Sequence, residues 1–249
     1  MVKADDEATH DPKAMTLMEH LDELRGRLTK ALGGILLLFF ISISFAGPIM
    51  EILKGPLISA LPEGHNDLHF TGPMDVFIAN IKVSFLISVV IGCPIWIYQF
   101  WRFFEPALYP RERKYVFPFI LVSILLFFAG VSFCFFGILP LALEFLIGIG
   151  LEVGTPIITV GDYISLLLLL IFGFGLVFQT PVILVLLAML DLISAKTLSA
   201  NRKYVLVAIL ILGAILTPPD PLSQLAMGIP TYLMFEVAIL IIKLVKKES

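Results

Sequence analysis

The sequence predicts an all-α, polytopic integral membrane protein with six transmembrane helices, of which the last two are short. Of its 249 residues, 59% are hydrophobic and 15% are charged, whereas soluble domains carry about 45–50% apolar and about 25% charged residues. The apolar residues form long runs separated by proline- and glycine-rich breaks. Lysine and arginine cluster between alternate runs, as they do on the inner side of a membrane.

The N-terminal segment precedes a single membrane domain. Residues 1–14 lack apolar periodicity and are predicted to form a disordered tail, so that residues 15–249 make one six-helix domain. An interfacial helix is expected from Met15, because leucines recur there at helical spacing. It leads into a first span over residues 31–45, with Gly47-Pro48 as its stop.

The remaining spans follow the apolar runs. They are predicted over residues 75–97 with a kink at Pro94, 115–139, 162–190 with an interruption at Pro181, 204–217, and 222–242. Short outer helices are expected near residues 50–61 and 141–149. The fifth run supplies roughly 20 Å of helix against the roughly 30 Å of a hydrocarbon core. The sixth reaches Glu236 after a similar length, so these two helices are expected to form a short hairpin.

Charge placement gives the predicted topology. The segments assigned to the inner side hold Lys3, Lys13, Arg25, Arg27, Lys30, Arg102, Arg111, Arg113, Lys114, Lys196, Arg202, Lys203, Lys243, Lys246 and Lys247. Only Lys54 and Lys82 fall elsewhere. Six spans with both termini inside follow from the positive-inside rule.

The motifs of common enzyme classes are missing from the sequence. It has no glycine-rich phosphate loop, no His-Glu-x-x-His and no Gly-x-Ser-x-Gly. All four histidines lie outside the predicted spans. We therefore expect no enzyme activity, cofactor, metal site or nucleic-acid partner; membrane lipids surround the chain.

A polar segment, Tyr98 to Lys114, connects the second and third spans. We expect a loop held at the membrane surface, with Trp101 and Tyr109 as interface aromatics. Glu112 lies there among several cations, although it also has a simpler explanation as an acid in the first turn of the next helix. Similarly, Glu23 near the N-terminus is spaced to pair with Arg27 one helical turn later.

Four motifs are specific enough to compare with known families: Phe103-x-x-Pro106-Ala107-Leu108-Tyr109-x-x-Glu112, His20-Leu21-x-Glu23-Leu24-Arg25, Leu216-Thr217-Pro218-Pro219-Asp220 and Phe235-Glu236. They resemble motifs of the TatC family, the receptor subunits of the twin-arginine protein translocase. The resemblance extends from about Met15 to Lys243. It implies that Glu23 and Glu112 receive the paired arginines of a signal peptide, and that Leu24, Arg25, Phe103 and Pro106 form the surrounding surface.

The chemistry of arginine fits this implied role. Guanidinium is planar, permanently charged and able to donate two parallel hydrogen bonds to a carboxylate. The resemblance further implies a bacterial-type cytoplasmic (inner) membrane, TatA- and TatB-type single-span partners, self-association in a larger complex, and export of folded proteins driven by the proton-motive force. Asp220 is expected in an outer turn between the last two spans.

Two polar residues fall within the predicted spans. Gln179 and Glu236 are expected to contact an interior group or a partner helix, since polar groups are costly in lipid. TatC proteins commonly carry Glu where this chain has Gln179, and a helix-packing role for this residue is an equal alternative.

Two other functions compete with the translocase interpretation. A proton-coupled small-molecule secondary transporter is the main alternative, although the chain has no evident inverted repeat and few intramembrane acids. An intramembrane lipid-modifying enzyme ranks third.

Overall fold

The computed structural model describes residues 17–61, 69–108, 113–154, 157–216 and 221–247. This part of the chain is helical, as the sequence predicts, and contains no β-strand. Its helices are α1 (Leu17–Ser42), α2 (Ala46–Ala60), α3 (Pro73–Ile91), α4 (Cys93–Phe104), α5 (Val116–Phe133), α6 (Leu139–Val153), α7 (Val160–Val177), α8 (Thr180–Met189), α9 (Ala195–Ala200), α10 (Arg202–Leu216) and α11 (Pro221–Lys247).

Five helical runs of the described chain are long and apolar enough to cross a membrane. They are Met18–Ala60, Pro73–Ile91, Arg113–Glu152, Val160–Met189 and Gln224–Leu244. Each overlaps a predicted span, and the first and third runs also include α2 and α6. Helix α10 has 15 residues and a length of about 22 Å, shorter than a hydrocarbon core. The crossing predicted over residues 204–217 therefore stays a prediction, and so does the total of six spans.

Two predicted helix breaks are confirmed. Helix α3 ends at Ile91 and α4 begins at Cys93, so the chain is interrupted just before Pro94. Likewise, α7 ends at Val177 and α8 begins at Thr180, immediately before Pro181. Both prolines occupy the first turn of the following helix, where the missing backbone N–H leaves no intrahelical bond unmade.

The predicted stop of the first span at Gly47-Pro48 is wrong. A 3₁₀ turn at Ile43–Phe45 interrupts the helix earlier, and α2 resumes at Ala46. Pro48 then lies in the first turn of α2, a position that proline tolerates well. Pro48 therefore lies within the first turn of a helix and does not end one.

The predicted loop from Tyr98 to Lys114 is also wrong in its first half, because α4 continues to Phe104. Residues Cys93, Ile97 and Trp101 are buried at four-residue spacing, which places them on one packed face of the helix. Trp101 is 1% exposed, so it belongs to the core and not to the membrane interface. Packing of this face thus extends the helix beyond the apolar run.

Both outer helices predicted from short apolar patterns are present. The first is α2, whose residues Met50, Leu53 and Leu57 are buried. The second is α6, which continues from α5 through a π turn at Cys134–Ile138. These two helices share one hydrophobic cluster with α3 and α7, and the Tyr163 hydroxyl donates to the Leu53 carbonyl.

The last two helices form an antiparallel pair of unequal length. Arg202 at the start of α10 forms an ion pair with Glu236 on α11. Helix α10 has the expected short length, whereas α11 is longer than expected and runs about three turns beyond Glu236. Ile242 in this extension is buried in a second hydrophobic cluster with residues of α4, α5 and α8, which explains why the helix continues.

Helices α5 and α7 approach closely because two glycines lie between them. A Cβ atom on Gly130 would lie 2.8 Å from the Phe174 carbonyl oxygen and 2.9 Å from the Phe178 Cβ. A Cβ atom on Gly175 would lie 2.6 Å from the Phe127 ring. Small residues at such contacts allow membrane helices to pack backbone to backbone.

We predict that Gly130→Ala destabilises the protein by about 1–3 kcal/mol, the usual cost of overpacking. Gly137→Ala on the same continuous helical run is the control, because its nearest side-chain atoms lie 3.9 Å away in the Phe133 ring. Thermal unfolding in detergent measures both variants. Equal melting temperatures for the two would contradict the close α5–α7 contact.

Candidate functional site

The N-terminal half of α1 packs beside the end of α4 through two polar or aromatic contacts. The His20 ring stacks on the Phe103 ring at a centroid distance of 4.4 Å. Two turns later, Arg27 Nη1 donates to Gln99 Oε1 across 3.5 Å. Helical spacing therefore sets one face of α1 against one face of α4. We call the region formed by His20, Glu23, Leu24, Arg25, Arg27, Gln99, Phe103 and Pro106 the α1–α4 surface.

Glu23 lies between these two contacts along α1. Its Oε1 atom accepts hydrogen bonds from Arg27 Nη2 at 3.0 Å and from Arg27 Nε at 3.3 Å. The simple one-turn pairing with Arg27 is thus present. However, the second carboxylate oxygen, Oε2, is buried and has no hydrogen-bond partner among the described residues. A buried acceptor without a donor is rare in proteins and calls for an explanation.

Leu24 and Arg25 lie next to Glu23 on the exposed side of α1. The Leu24 side chain is 41% exposed, and Arg25 is also exposed. Their backbone is regular helix, since the Arg25 carbonyl accepts a bond from the Thr29 hydroxyl. These two residues are therefore available to contact a ligand beside Glu23.

Phe103 and Pro106 form the other side of the α1–α4 surface, and both are half-buried. Pro106 belongs to a 3₁₀ turn at Glu105–Ala107 that follows α4 directly. Its carbonyl accepts a hydrogen bond from Arg113 Nη2 at 3.3 Å, while Arg102 pairs with Glu105. The Arg113 bond therefore connects the described residues on the two sides of positions 109–112.

Two predicted site residues lie outside the described residues: Glu112 in the segment after α4, and Asp220 between α10 and α11. Within the described chain, no group of three His, Cys, Asp or Glu residues is arranged to hold a metal ion. The α1–α4 surface offers a carboxylate oxygen that has no donor among the described residues and an aromatic ring. These two groups suit a cationic ligand with planar hydrogen-bond donors.

Gln179 forms a buried contact between helices. Its Nε2 donates to the Ser123 carbonyl oxygen on α5 at 2.9 Å. The carbonyl of Val177, which loses its backbone donor to Pro181, instead accepts from the Thr180 hydroxyl at 2.6 Å. Gln179 is therefore an interhelical contact within the chain, and Thr180 satisfies the carbonyl freed by proline.

The sequence did not point to the other members of this contact. The Ser123 hydroxyl accepts from Trp101 Nε1 at 2.9 Å and donates to the Phe119 carbonyl at 2.7 Å. Gln179, Ser123 and Trp101 therefore connect α4, α5 and the α7–α8 break. A serine in the apolar run of α5 was the available signal, since hydroxyls in membrane helices often bond to neighbouring helices.

Glu236 was expected to contact an interior group or a partner helix, and the structure gives it a partner in its own chain. Arg202 Nε and Nη2 bond to its two carboxylate oxygens at 2.6 and 2.9 Å. This two-pronged geometry is the preferred one for arginine and carboxylate. Because 34 residues separate the pair in sequence, local spacing gave no sign of it.

We predict that Gln179→Leu lowers the melting temperature in detergent, because leucine cannot donate to the Ser123 carbonyl. Gln179→Glu is the matched variant: in its protonated form it can still donate and accept. It should therefore stay closer to the unsubstituted protein. A leucine variant as stable as the original would show that this hydrogen bond contributes nothing beyond packing.

Comparison with known proteins identifies the family. The chain matches the family model described as Sec-independent protein translocase protein (TatC) over residues 19–230. A relative of that name from Aquifex aeolicus (strain VF5) is 39% identical over 94% of this chain and 98% of its own length. The protein of the same name from Escherichia coli (strain K12) is 37% identical over 90% of this chain and 86% of its own length.

Solved structures agree with the sequence match. A crystal structure of the twin arginine translocase receptor TatC superposes with a TM-score of 0.79 at 39% identity, covering 91% of this chain and 99% of that one. A second, determined in DDM, superposes with a TM-score of 0.80 at 38% identity, over 90% of this chain and 100% of that one. These matches do not favour a small-molecule transporter, and TatC proteins are translocase components and not enzymes. The chain therefore belongs to the TatC family and is a multi-pass membrane subunit of the Sec-independent protein translocase.

Proposed function

We propose that this chain binds the Arg-Arg signal peptides of folded proteins on its α1–α4 surface. The observation that carries the proposal is the Glu23 carboxylate, whose buried Oε2 atom has no donor within the described ranges. Glu23 follows His20, which stacks on Phe103, by one turn of α1. A peptide guanidinium supplies the missing donors together with a positive charge. Charge-assisted bonds of this kind are roughly twice as strong as neutral ones.

Glu112 is the second acceptor in this proposal. The hydrogen bond from Arg113 to the Pro106 carbonyl supports it, because it brings Arg113, the neighbour of Glu112 in sequence, close to Pro106. Two adjacent arginines need two acids on neighbouring elements, and lysine satisfies such acids less well because it lacks the planar fork. Leu24, Arg25, Phe103 and Pro106 contact the peptide around the two acids.

The proposal also covers the membrane location of the chain, its partners and its energy source. The chain lies in a bacterial-type cytoplasmic membrane with both termini in the cytoplasm, because the cations of the sequence cluster at that side. It assembles with TatA- and TatB-type single-span proteins and with further copies of itself. Transport of folded cargo is driven by the proton-motive force. Asp220 lies in the outer turn of the last helix pair.

Substitution of the two acids tests peptide binding directly. Glu112→Lys replaces an acceptor with a repelling cation and should abolish binding of an Arg-Arg peptide. Glu23→Ala should weaken binding by about 1.5–3 kcal/mol, the value of a hydrogen bond to a charged group. Asp22→Ala, which removes an exposed acid one position away, should leave the affinity unchanged. Unaltered peptide crosslinking in both Glu variants would refute the site.

Thiol labelling tests the proposed orientation. In a background that lacks Cys93 and Cys134, Gly154→Cys at the end of α6 should react with an impermeant reagent added to intact cells. Ala200→Cys on α9 should react only after lysis. Both positions are exposed in the structure, so burial does not explain a difference. Labelling at position 200 in intact cells would overturn the arrangement with cytoplasmic termini.

A further inference from the structure

The two oxygens of the Glu23 carboxylate are used unequally. Arg27 directs Nε and Nη2 to the same oxygen, Oε1, whereas an arginine fork usually spans both oxygens of a carboxylate. No donor in the described part of the chain reaches Oε2, although this atom is buried. The resident arginine therefore occupies one half of the acceptor and leaves the other half unused.

Arg27 is itself held from a second helix. Its third donor nitrogen, Nη1, points to Gln99 Oε1 on α4 at 3.5 Å. The Arg27 and Glu23 side chains are 21% and 19% exposed, so both are largely enclosed by the packing of α1 against α4. Glu23, Arg27 and Gln99 thus form a chain of contacts that fixes the carboxylate relative to α4.

The aromatic contact lies at the other side of Glu23. His20 precedes Glu23 by one turn of α1 and stacks on Phe103, which follows Gln99 by one turn of α4. The acid is therefore placed between an aromatic contact and a polar contact of the same helix pair. Because Oε2 has almost no accessible surface, a ligand reaches it only after the side chains that cover it move aside.

We propose that Arg27 and Gln99 are positioning residues for the signal-peptide arginine. Arg27 retains Oε1 and orients the carboxylate so that Oε2 receives the incoming guanidinium, and Gln99 holds Arg27 in that orientation. The Glu23 carboxylate can accept hydrogen bonds from Arg27 and from a peptide arginine at the same time, because its two oxygens offer about four acceptor sites. This inference rests on the proposed function and adds two residues that determine specificity for arginine over lysine.

The same geometry is compatible with a competing role, in which Arg27 blocks Glu23 from the peptide. The experiment distinguishes this role from the positioning role. If Arg27 were a competitor that blocks Glu23, its removal would strengthen peptide binding. If it positions Glu23, its removal weakens binding of the Arg-Arg peptide and leaves a Lys-Lys peptide nearly unaffected, because a lysine ammonium needs no oriented fork. The ratio of the two affinities therefore reports on the positioning role.

The test measures Kd for an Arg-Arg and a Lys-Lys signal peptide with the purified full chain in nanodiscs. Arg27→Gln should weaken Arg-Arg binding about tenfold and reduce the preference for that peptide by the same factor. Arg27→Lys should recover part of the affinity, since an ammonium can still bond to Oε1. Lys30→Gln, which removes an exposed cation from the same helix, is the control and should change neither value.

Gln99→Leu provides an independent measurement. It should weaken Arg-Arg binding about threefold in the original chain. In the Arg27→Gln background it should have no further effect, because its action passes through Arg27. If Arg27→Gln does not fold, as judged by thermal unfolding, Gln99→Leu carries the test alone, and an unchanged peptide preference overturns the inference.

Three results contradict the inference while leaving the proposed function intact. These are unchanged Arg-Arg binding in Arg27→Gln, tighter binding in that variant, and an equal loss for both peptides. Failure of the proposed function looks different: the unsubstituted protein then shows no preference for the Arg-Arg peptide, and the positioning role falls with it.

Discussion

Hydrocarbon offers no hydrogen bonds, so each interruption of a membrane helix must be satisfied by the protein itself. This constraint explains the positions of several polar side chains. At the α7–α8 break, the Thr180 hydroxyl bonds to the Val177 carbonyl. At the α3–α4 break, the Trp96 indole bonds to the Val89 carbonyl at 3.1 Å. Each polar side chain lies close to the backbone group that it satisfies.

The hydrogen bond from Gln179 to the Ser123 carbonyl connects the α7–α8 break to another helix of the bundle. Ser123 also accepts from Trp101, and Trp101 lies on the same helix as Phe103 and Gln99. The α1–α4 surface is therefore built on a helix whose buried face is anchored to α5, and α5 is in turn bonded to the α7–α8 break. Close packing at Gly130 and Gly175 keeps these elements in register. A binding surface on rigid helices holds its acceptor groups in a defined geometry.

Local patterns in the sequence predicted most of the helices and one of the site contacts. The apolar runs located the spans, Pro94 and Pro181 located two breaks, and helical spacing suggested the pairing of Glu23 with Arg27. The interface preference of tryptophan misplaced Trp101, because that preference is statistical and packing against Phe119 outweighs it here. Gly47-Pro48 misled for a similar reason, since proline both ends and begins helices.

Contacts between distant residues could not be predicted in this way. Arg27 meets Gln99 across 72 positions, and Gln179 meets Ser123 across 56. Nothing in the local sequence of either partner specifies the other. The family resemblance is the basis for proposing Glu23 and Glu112 as acceptors, whereas only the three-dimensional structure revealed that one oxygen of Glu23 has no donor among the described residues.

The shortness of α10 has a consequence for the surrounding lipid if this helix crosses the membrane as the sequence predicts. A helix of about 22 Å cannot match a hydrocarbon layer of about 30 Å without tilt or local thinning of the bilayer. The ion pair of Arg202 with Glu236 on α11 would hold one end of α10 at a polar level, so that the bilayer would thin along this edge of the protein. Lipids with short acyl chains would fit this edge at lower cost than long ones.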